Sequence, residues 1–378
     1  VTRIFISAGE ASGDLHASTL IRELKARNDG LEFFGLGGEL MRAAGAELWY
    51  DLTVLAVTGF WEVVKKYFSF RRIFYNVLDR LDRAKPDVAI LVDYPGFNLR
   101  IAKKLHQRGI KVIYYIAPQV WAWKERRVKD MERSVDLLVS ILPFEEEFFS
   151  RTEIRCKFVG HPLLDDIATS GSAQEFRKSQ GLDSATRIIA LLPGSRLNEI
   201  ESHYETMLRA IEQLRQAGQK FVACVLTRPE IDRHAYKTIE EKVPGISIKH
   251  VETDRYGLLK AADVAIVKSG TSTLETALCG TPFCIVYRMG WISYQIARRV
   301  IKLKNVGMVN IVAGEVVAPE FLQYEMTADN LSEFCSRILT SKEERARVQR
   351  TLEDVRHKLG EPGAAARAAE AIIRELAQ

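Results

Sequence analysis

Short apolar runs rich in β-branched residues recur along this chain and alternate with longer stretches of helical period. The runs RIFIS (3–7), VAILV (88–92), KVIYYI (111–116), DLLVSIL (136–142) and KFVG (157–160) form a first set. RIIALL (187–192), FVACVL (221–226), ISIKHV (246–251), DVAIVK (263–268) and PFCIVY (282–287) form a second. Continuous apolar runs, rather than apolar–polar alternation, mark strands of parallel sheets covered on both faces. The segment 14–27 shows the covering helix, with Leu15, Leu20, Ile21 and Leu24 on one stripe. Each set opens with a strand, a turn of small residues and a helix. The more polar stretch 163–187 lies between them and is expected to act as a linker near 163–185. A chain of 378 residues is long enough for two domains. The expected fold is therefore α/β, with two Rossmann-like domains facing across a cleft. The first spans 1–165 and the second 185–350, followed by a helical tail over 351–378 whose Ala-rich end starts after Pro362.

Composition narrows the function. Hydrophobic residues make up 47% and charged residues 27%, the balance of a globular chain. The five cysteines, at 156, 224, 279, 284 and 335, form no CxxC pair, so neither a zinc site nor a disulfide framework is expected. No run of about 18 apolar residues is available to span a membrane. The opening VTRIFISAGEASGD holds no long apolar stretch, so no signal peptide is expected. It also lacks an initiator Met, so a short leader before it is expected. A net charge of +5 is too mild to diagnose a partner, and no nucleic-acid partner is expected. Basic residues do cluster locally, in KKYFSFRR (65–72), KERRVK (124–129) and RRVIKLK (298–304).

Five segments carry candidate chemistry. In LLPGSRLNEIE (191–201) a strand runs through Gly194, Ser195 and Arg196 into a helix. Glycine lets a ligand approach the backbone, the helix start offers unpaired N–H groups, and Arg196 adds a cation for phosphate oxygens. An ordinary strand–helix turn with a surface Arg is the plain alternative. In VKSGTSTLETALCGTP (267–282) the turn Ser269, Gly270, Thr271, Ser272 precedes Glu275, which could accept ribose hydroxyls. The alternative here is simple helix capping. In AGEASGDLHA (8–17) the glycines are spaced GxxxG, so a nicotinamide dinucleotide fingerprint is absent. Glu10 and Asp14 are polar residues at the carboxyl end of a strand, where ligand-facing groups sit, and the plain alternative is a turn with Ser12 or Asp14 as N-cap. In ILVDYPGFNLRIA (90–102), Asp93 ends a buried strand and is either a general base for a hydroxyl or a cap. No Asp-x-Asp pair occurs, which removes a common divalent-metal site. Finally, Phe60, Trp61, Val63, Val64, Tyr67 and Phe70 interleave with Lys65, Lys66, Arg71 and Arg72. Such a segment suits a bilayer interface, or else a core helix flanked by charge.

Taken in order, SAGEASGD, LAVTGFWEV, KPDVAILVDYPGFN, YYIAPQVWAWKERR, LPFE, FVGHPLLD, LLPGSR, SGTSTLE, YRM and the VNIVAGE region run from residue 7 to about 315. Together they resemble the lipid-A-disaccharide synthases, a family of GT-B glycosyltransferases. The resemblance implies transfer from UDP-2,3-diacylglucosamine to 2,3-diacylglucosamine 1-phosphate (lipid X). The products are a β-1,6-linked disaccharide 1-phosphate of lipid A biosynthesis and UDP. It also implies inversion in one displacement, no metal or other cofactor, and a peripheral location on the cytoplasmic face of the inner membrane. By the same resemblance, Asp93 matches the proposed base for the acceptor's 6′ proton. Arg196 matches the UDP-phosphate arginine, Glu275 the ribose glutamate, and Asn310 an asparagine near the donor. Glu10 matches the turn beside the active cleft. Trp61, Val63, Val64, Tyr67 and Phe70 fall on the family's membrane patch. The acceptor phosphate also wants a cation, for which Lys124, Arg126, Arg127, Arg298 and Arg299 are equal candidates. Other UDP-sugar enzymes of the same fold remain open, such as a UDP-N-acetylglucosamine 2-epimerase or a peptidoglycan-type transferase. So does a non-catalytic nucleotide-binding protein that docks on membranes.

Overall fold

This computed structural model describes residues 1–52, 60–123, 125–290, 294–295 and 305–377. The chain divides into two compact units, Val1–Pro162 with Gly360–Gln378, and Leu163–Leu359.

The first unit is built on strands β1 (Thr2–Ala8), β2 (Leu31–Gly37), β3 (Ala46–Asp51), β4 (Val88–Val92), β5 (Lys111–Tyr115), β6 (Leu137–Ser140) and β7 (Arg155–Phe158). They pair in parallel in the order β3-β2-β1-β4-β5-β6-β7. The expected runs all became strands. β2 and β3 were not anticipated, because glycines at 35 and 37 interrupt one run and the other mixes polar with apolar residues. Alternate residues of each central strand feed two cores, one on each face. Ile4, Ile6, Ile90 and Val92 enter one core, and Phe5, Ala89 and Leu91 enter the other. The helix Ala11–Arg27 buries Leu20, Ile21 and Leu24, whereas Leu15 is 40% exposed and stands off the expected stripe.

The C-terminal helix Ala364–Leu376 belongs to this first unit, where Ala368, Ala369 and Ile372 complete one of its cores. The expected tail over 351–378 is therefore split. Its first residues finish the helix Lys342–Lys358 of the second unit.

The second unit carries β8 (Ile188–Leu192), β9 (Val222–Leu226), β10 (Ile248–Val251), β11 (Val264–Lys268), β12 (Phe283–Tyr287) and β13 (Glu320–Leu322). Their order is β10-β9-β8-β11-β12-β13, again parallel. The expected linker is instead structured. Helices Leu163–Thr169 and Ala173–Ser179 bury Leu163, Leu164, Ile167 and Phe176 within this unit. Lys260 Nζ fastens the turn between them, donating to the carbonyls of Ile167 at 3.0 Å and Gly171 at 3.0 Å.

In each sheet the strand order reverses once, between β1 and β4 in the first and between β8 and β11 in the second. Open parallel sheets bind ligands at the carboxyl ends of the strands at such a reversal. The segments found there are 8–10 with 93–95, and 193–196 with 269–271.

Candidate active site

Asp93 follows β4 directly, at the reversal point of the first sheet. Asp93 and Tyr94 have φ of 46° and 49°, two successive left-handed residues that are not glycine. Such a backbone persists only where neighbours over-determine it. Here the Asp93 N–H donates to the Tyr115 carbonyl at 3.0 Å. The Asp93 carbonyl accepts from Tyr114 Oη at 2.6 Å and from Asn98 Nδ2 at 2.8 Å. Asn98 is fully buried, also donates to the carbonyls of Val92 and Ser7, and accepts from Ser7 Oγ at 2.8 Å. Asn98, Ser7 and Tyr114 were not singled out from sequence. The available signal was an amide on the otherwise apolar inner face formed by Phe97, Ile101, Ala102 and Leu105.

The Tyr94 ring lies against Gly9, where a Cβ would sit 2.1 Å from Tyr94 Cδ1, so that position requires glycine. Glu10 occupies the N-cap position of the first helix, exposed and with no side-chain capping bond. Burial raises the Asp93 carboxyl above its ordinary range. The Tyr94 backbone N–H opposes that shift, and the Glu10 charge adds to it. Asp14 is not ligand-facing. Its buried carboxylate accepts from the N–H groups of Gly38 at 2.9 Å, Leu40 at 3.1 Å and Met41 at 3.1 Å, capping the helix Glu39–Ala43.

The reversal point of the second sheet brings Gly194, Ser195 and Arg196 beside Ser269, Gly270, Thr271 and Ser272. Gly194 has φ of 143° and Gly270 of 154°. A Cβ on Gly194 would fall 2.5 Å from Glu199 Cβ, so this turn also requires glycine. Glu199, a residue sequence reasoning passed over, holds the turn from the first helical turn behind it. Its Oε2 accepts from Ser195 N at 2.9 Å, and its Oε1 pairs with Lys268 Nζ at 2.8 Å. Arg196 reaches the same oxygen only at 3.7 Å, and its side chain is 78% exposed. His203 lies beneath, with Nδ1 3.0 Å from the Pro193 carbonyl and Nε2 accepting from Arg288 N at 2.9 Å. These contacts assign the neutral form with the proton on Nδ1.

Glu275 is buried on the helix Ser272–Leu278. Its Oε1 accepts from Arg255 Nη1, with Tyr256 Oη at 3.3 Å. Its Oε2 is buried and has no hydrogen-bond partner among the described residues. An unpaired buried carboxylate oxygen is costly, and a ligand hydroxyl would satisfy it. Asn310 stands differently. Its Nδ2 donates to the Ala318 carbonyl at 2.8 Å and to Glu320 Oε1 at 2.8 Å. Its Oδ1 accepts from Val317 N at 2.9 Å and Ala318 N at 3.0 Å. The amide is thus fully engaged within the protein and shapes the 306–320 region.

The side chains of Phe60, Trp61, Val63, Val64, Tyr67, Phe70 and Arg126 lie outside the described part of the structure, as do Lys124, Arg298 and Arg299. Of the acceptor-phosphate candidates, Arg127 is described. It is close enough to Tyr114 for its charge to lower that phenol's pKa, against the dominant rise from burial.

A sequence profile of the lipid-A-disaccharide synthetase family matches residues 4–374. The chain belongs to this family. It is 38% identical to the lipid-A-disaccharide synthase of Myxococcus xanthus over 374 residues, covering 99% of this chain and 97% of the relative. Membership makes it a glycosyltransferase of lipid A biosynthesis. Solved structures show the fold more widely. A UDP-N-acetylglucosamine 2-epimerase from Neisseria meningitidis, bound to UDP-GlcNAc, matches with a TM-score of 0.62 at 11% identity, covering 99% of each chain. MurG of Acinetobacter baumannii matches at 0.60 and 13% identity, covering 99% of this chain and 100% of that one. At such identities the likeness shows the GT-B fold alone, of two parallel-sheet α/β domains. Family membership, not the fold, separates this enzyme from the epimerases and peptidoglycan-type transferases.

Proposed function

We propose that this enzyme joins UDP-2,3-diacylglucosamine to lipid X with inversion at the donor's anomeric carbon. The acceptor's 6′ oxygen attacks C1 of the donor sugar. The bond from C1 to the β-phosphate oxygen breaks, UDP leaves with its electrons, and Asp93 takes the hydroxyl proton. The observation that carries this reading is the strand-end carboxyl of Asp93, raised by burial and braced in a strained backbone. A base tuned toward neutral pH is suited to a sugar hydroxyl. Glu10 sits beside it as a second carboxylate of the site. On the donor side, Arg196, the hydroxyls of Ser195 and Ser269, and the backbone N–H groups of Gly194, Gly270, Thr271 and Ser272 would take the diphosphate. Their positive ends stabilise the charge that grows on UDP as the bond breaks, without calling on a metal. The unpaired oxygen of Glu275 would accept from the ribose, and Asn310 would act indirectly through the 306–320 region. Because both substrates are acylated, the enzyme would work as a peripheral protein on the cytoplasmic face of the inner membrane, with the segment 60–70 in contact.

The test is incubation with both acylated substrates, reading UDP release and the disaccharide 1-phosphate by mass spectrometry. Turnover should survive EDTA. Asp93→Asn is expected to lose at least a hundredfold in turnover while UDP binding persists. Near-normal turnover in that variant would remove Asp93 as the base. Arg196→Ala and Glu275→Gln should each weaken UDP binding, and unchanged affinity in both would move the nucleotide elsewhere.

A further inference from the structure

We infer that Lys268 is a second phosphate-binding cation of the nucleotide site, held by Glu199 and transferred to the β-phosphate when UDP binds. This rests on the reading that the diphosphate occupies the two glycine turns. Lys268 is the last residue of β11, after four fully buried apolar residues, Val264, Ala265, Ile266 and Val267. An apolar side chain would be the cheap choice at the end of such a strand. A lysine there must withdraw its ammonium from water, at a cost its surroundings have to offset. Its side chain is only 18% exposed.

The ammonium stands between the two turns. On one side it meets Glu199 Oε1 at 2.8 Å, while the other oxygen of the same carboxylate holds Ser195 N at 2.9 Å. On the other side it lies 3.7 Å from where a Cβ of Gly270 would be, so it rests against the backbone of the second turn. The Tyr287 ring closes a third side, with its centroid 5.5 Å from Nζ. The charges do not cancel. Glu199 is one carboxylate facing two basic side chains, Lys268 and Arg196. His203, beneath them, is held neutral chiefly by burial, and the Lys268 charge pushes in the same direction. Arg288 is turned away, with Nη2 donating to the Met326 carbonyl at 2.6 Å. Among the described residues one surplus positive charge therefore remains at the mouth of the two turns, where an entering diphosphate would meet it. A flexible ammonium can swing from a carboxylate to a phosphate without disturbing the turn, because Ser195 keeps its own bond to Glu199.

Calorimetric titration of the full chain with UDP and with UMP tests this. Lys268→Gln is expected to weaken UDP roughly tenfold or more and UMP by much less, since UMP lacks the β-phosphate. Lys268→Arg should restore most of the loss. Glu199→Gln, which keeps an acceptor for Ser195 but frees the lysine, should tighten UDP. Lys268→Met, an apolar side chain of similar length, should repeat the glutamine result and guards against a folding defect in the first variant. Equal losses for UDP and UMP would mean that Lys268 only shapes the turn, and unchanged UDP affinity would mean that it does not reach the phosphate. Either result overturns the assignment. Failure of the donor-site reading looks different: UDP would not bind the unaltered protein, or would bind it without dependence on Arg196 and Glu275.

Discussion

Asp93 and Tyr94 each hold a left-handed backbone that costs about 1–3 kcal/mol, and the Tyr114 and Asn98 bonds to the Asp93 carbonyl fix that geometry. The strain aims a carboxyl whose ionisation is already delayed by burial and by Glu10. With Asp93 as the proposed base, only its ionised form can accept the proton, so kcat/KM should rise with pH through an ionisation above the ordinary aspartate range. Glu10→Gln removes the neighbouring charge and should move that acid limb to lower pH in a pH–rate profile. An unmoved limb would detach it from the Asp93–Glu10 pair. Glu145 offers a second titration away from the reacting atoms. Burial pushes it up to about 8, against the lowering pull of Trp121 Nε1, at 3.0 Å, and the Leu142 N–H. A carboxyl whose folded pKa is raised contributes stability that is complete below its unfolded value, near 4.5, and is lost as pH rises through about 8. Glu145→Gln keeps an oxygen for Trp121 and cannot ionise. Its melting temperature should therefore fall less than that of the unaltered protein between pH 5 and pH 8, and parallel curves would refute the assignment. Asp93, Arg196 and Glu275 could be singled out as candidates from the sequence because each lies at, or a few residues beyond, the carboxyl end of a strand. Glu199, Lys268 and Asn98 could not, since their meaning comes from partners that only the folded chain brings near.

At the scale of elements, most strands were legible because short, continuous apolar runs alternate regularly with segments of helical period. The interior strand β2, broken by glycines, was not, and neither were two of the four edge strands. β3 lies at one sheet edge and β13, three residues long, at the other sheet's edge, where half the environment is missing and the apolar demand falls with it. The last helix misled for another reason: its alanines read as a generic helix, and nothing local says which core they fill. Glu375 reports the answer. Although buried, its carboxyl ionises below the ordinary range, because Arg155 and Lys111 outweigh the burial. Arg155 grips it with two bonds of 2.8 and 2.9 Å, and Lys111 stands at 3.2 Å. Glu375→Ala should cost about 1–2 kcal/mol, less than a fully buried pair would, because the two cations remain partly solvated. Ending the chain after Leu359 should do more, since Ala368, Ala369 and Ile372 leave a core face open. Thermal unfolding of both variants is the measurement. A truncated chain as stable as the full one would show that the helix is dispensable to the first unit.

For the whole molecule the proposed acylated substrates pose a problem of reach. No helix among the described residues is long and apolar enough to cross a membrane. Attachment through the segment 60–70 would then combine two forces with different salt dependence. Cations such as Lys65, Lys66, Arg71 and Arg72 attract an anionic surface over a distance that shrinks to about 10 Å at 0.1 M salt and about 3 Å at 1 M. Aromatic side chains inserted at the headgroup level gain apolar burial that salt does not screen. Flotation with vesicles containing anionic lipid should therefore show strong binding at low salt and a smaller residue of binding that survives 1 M salt. Replacing Trp61 and Phe70 together by Ser should abolish the salt-resistant part and leave the salt-sensitive part nearly intact, because no charge has changed. Replacing Lys65 and Lys66 by Gln should do the reverse. If the aromatic variant floats like the unaltered protein at every salt concentration, these rings are core residues of the first unit and the bilayer contact lies elsewhere. If both variants lose binding in parallel, the segment acts through its fold and not through two separable forces.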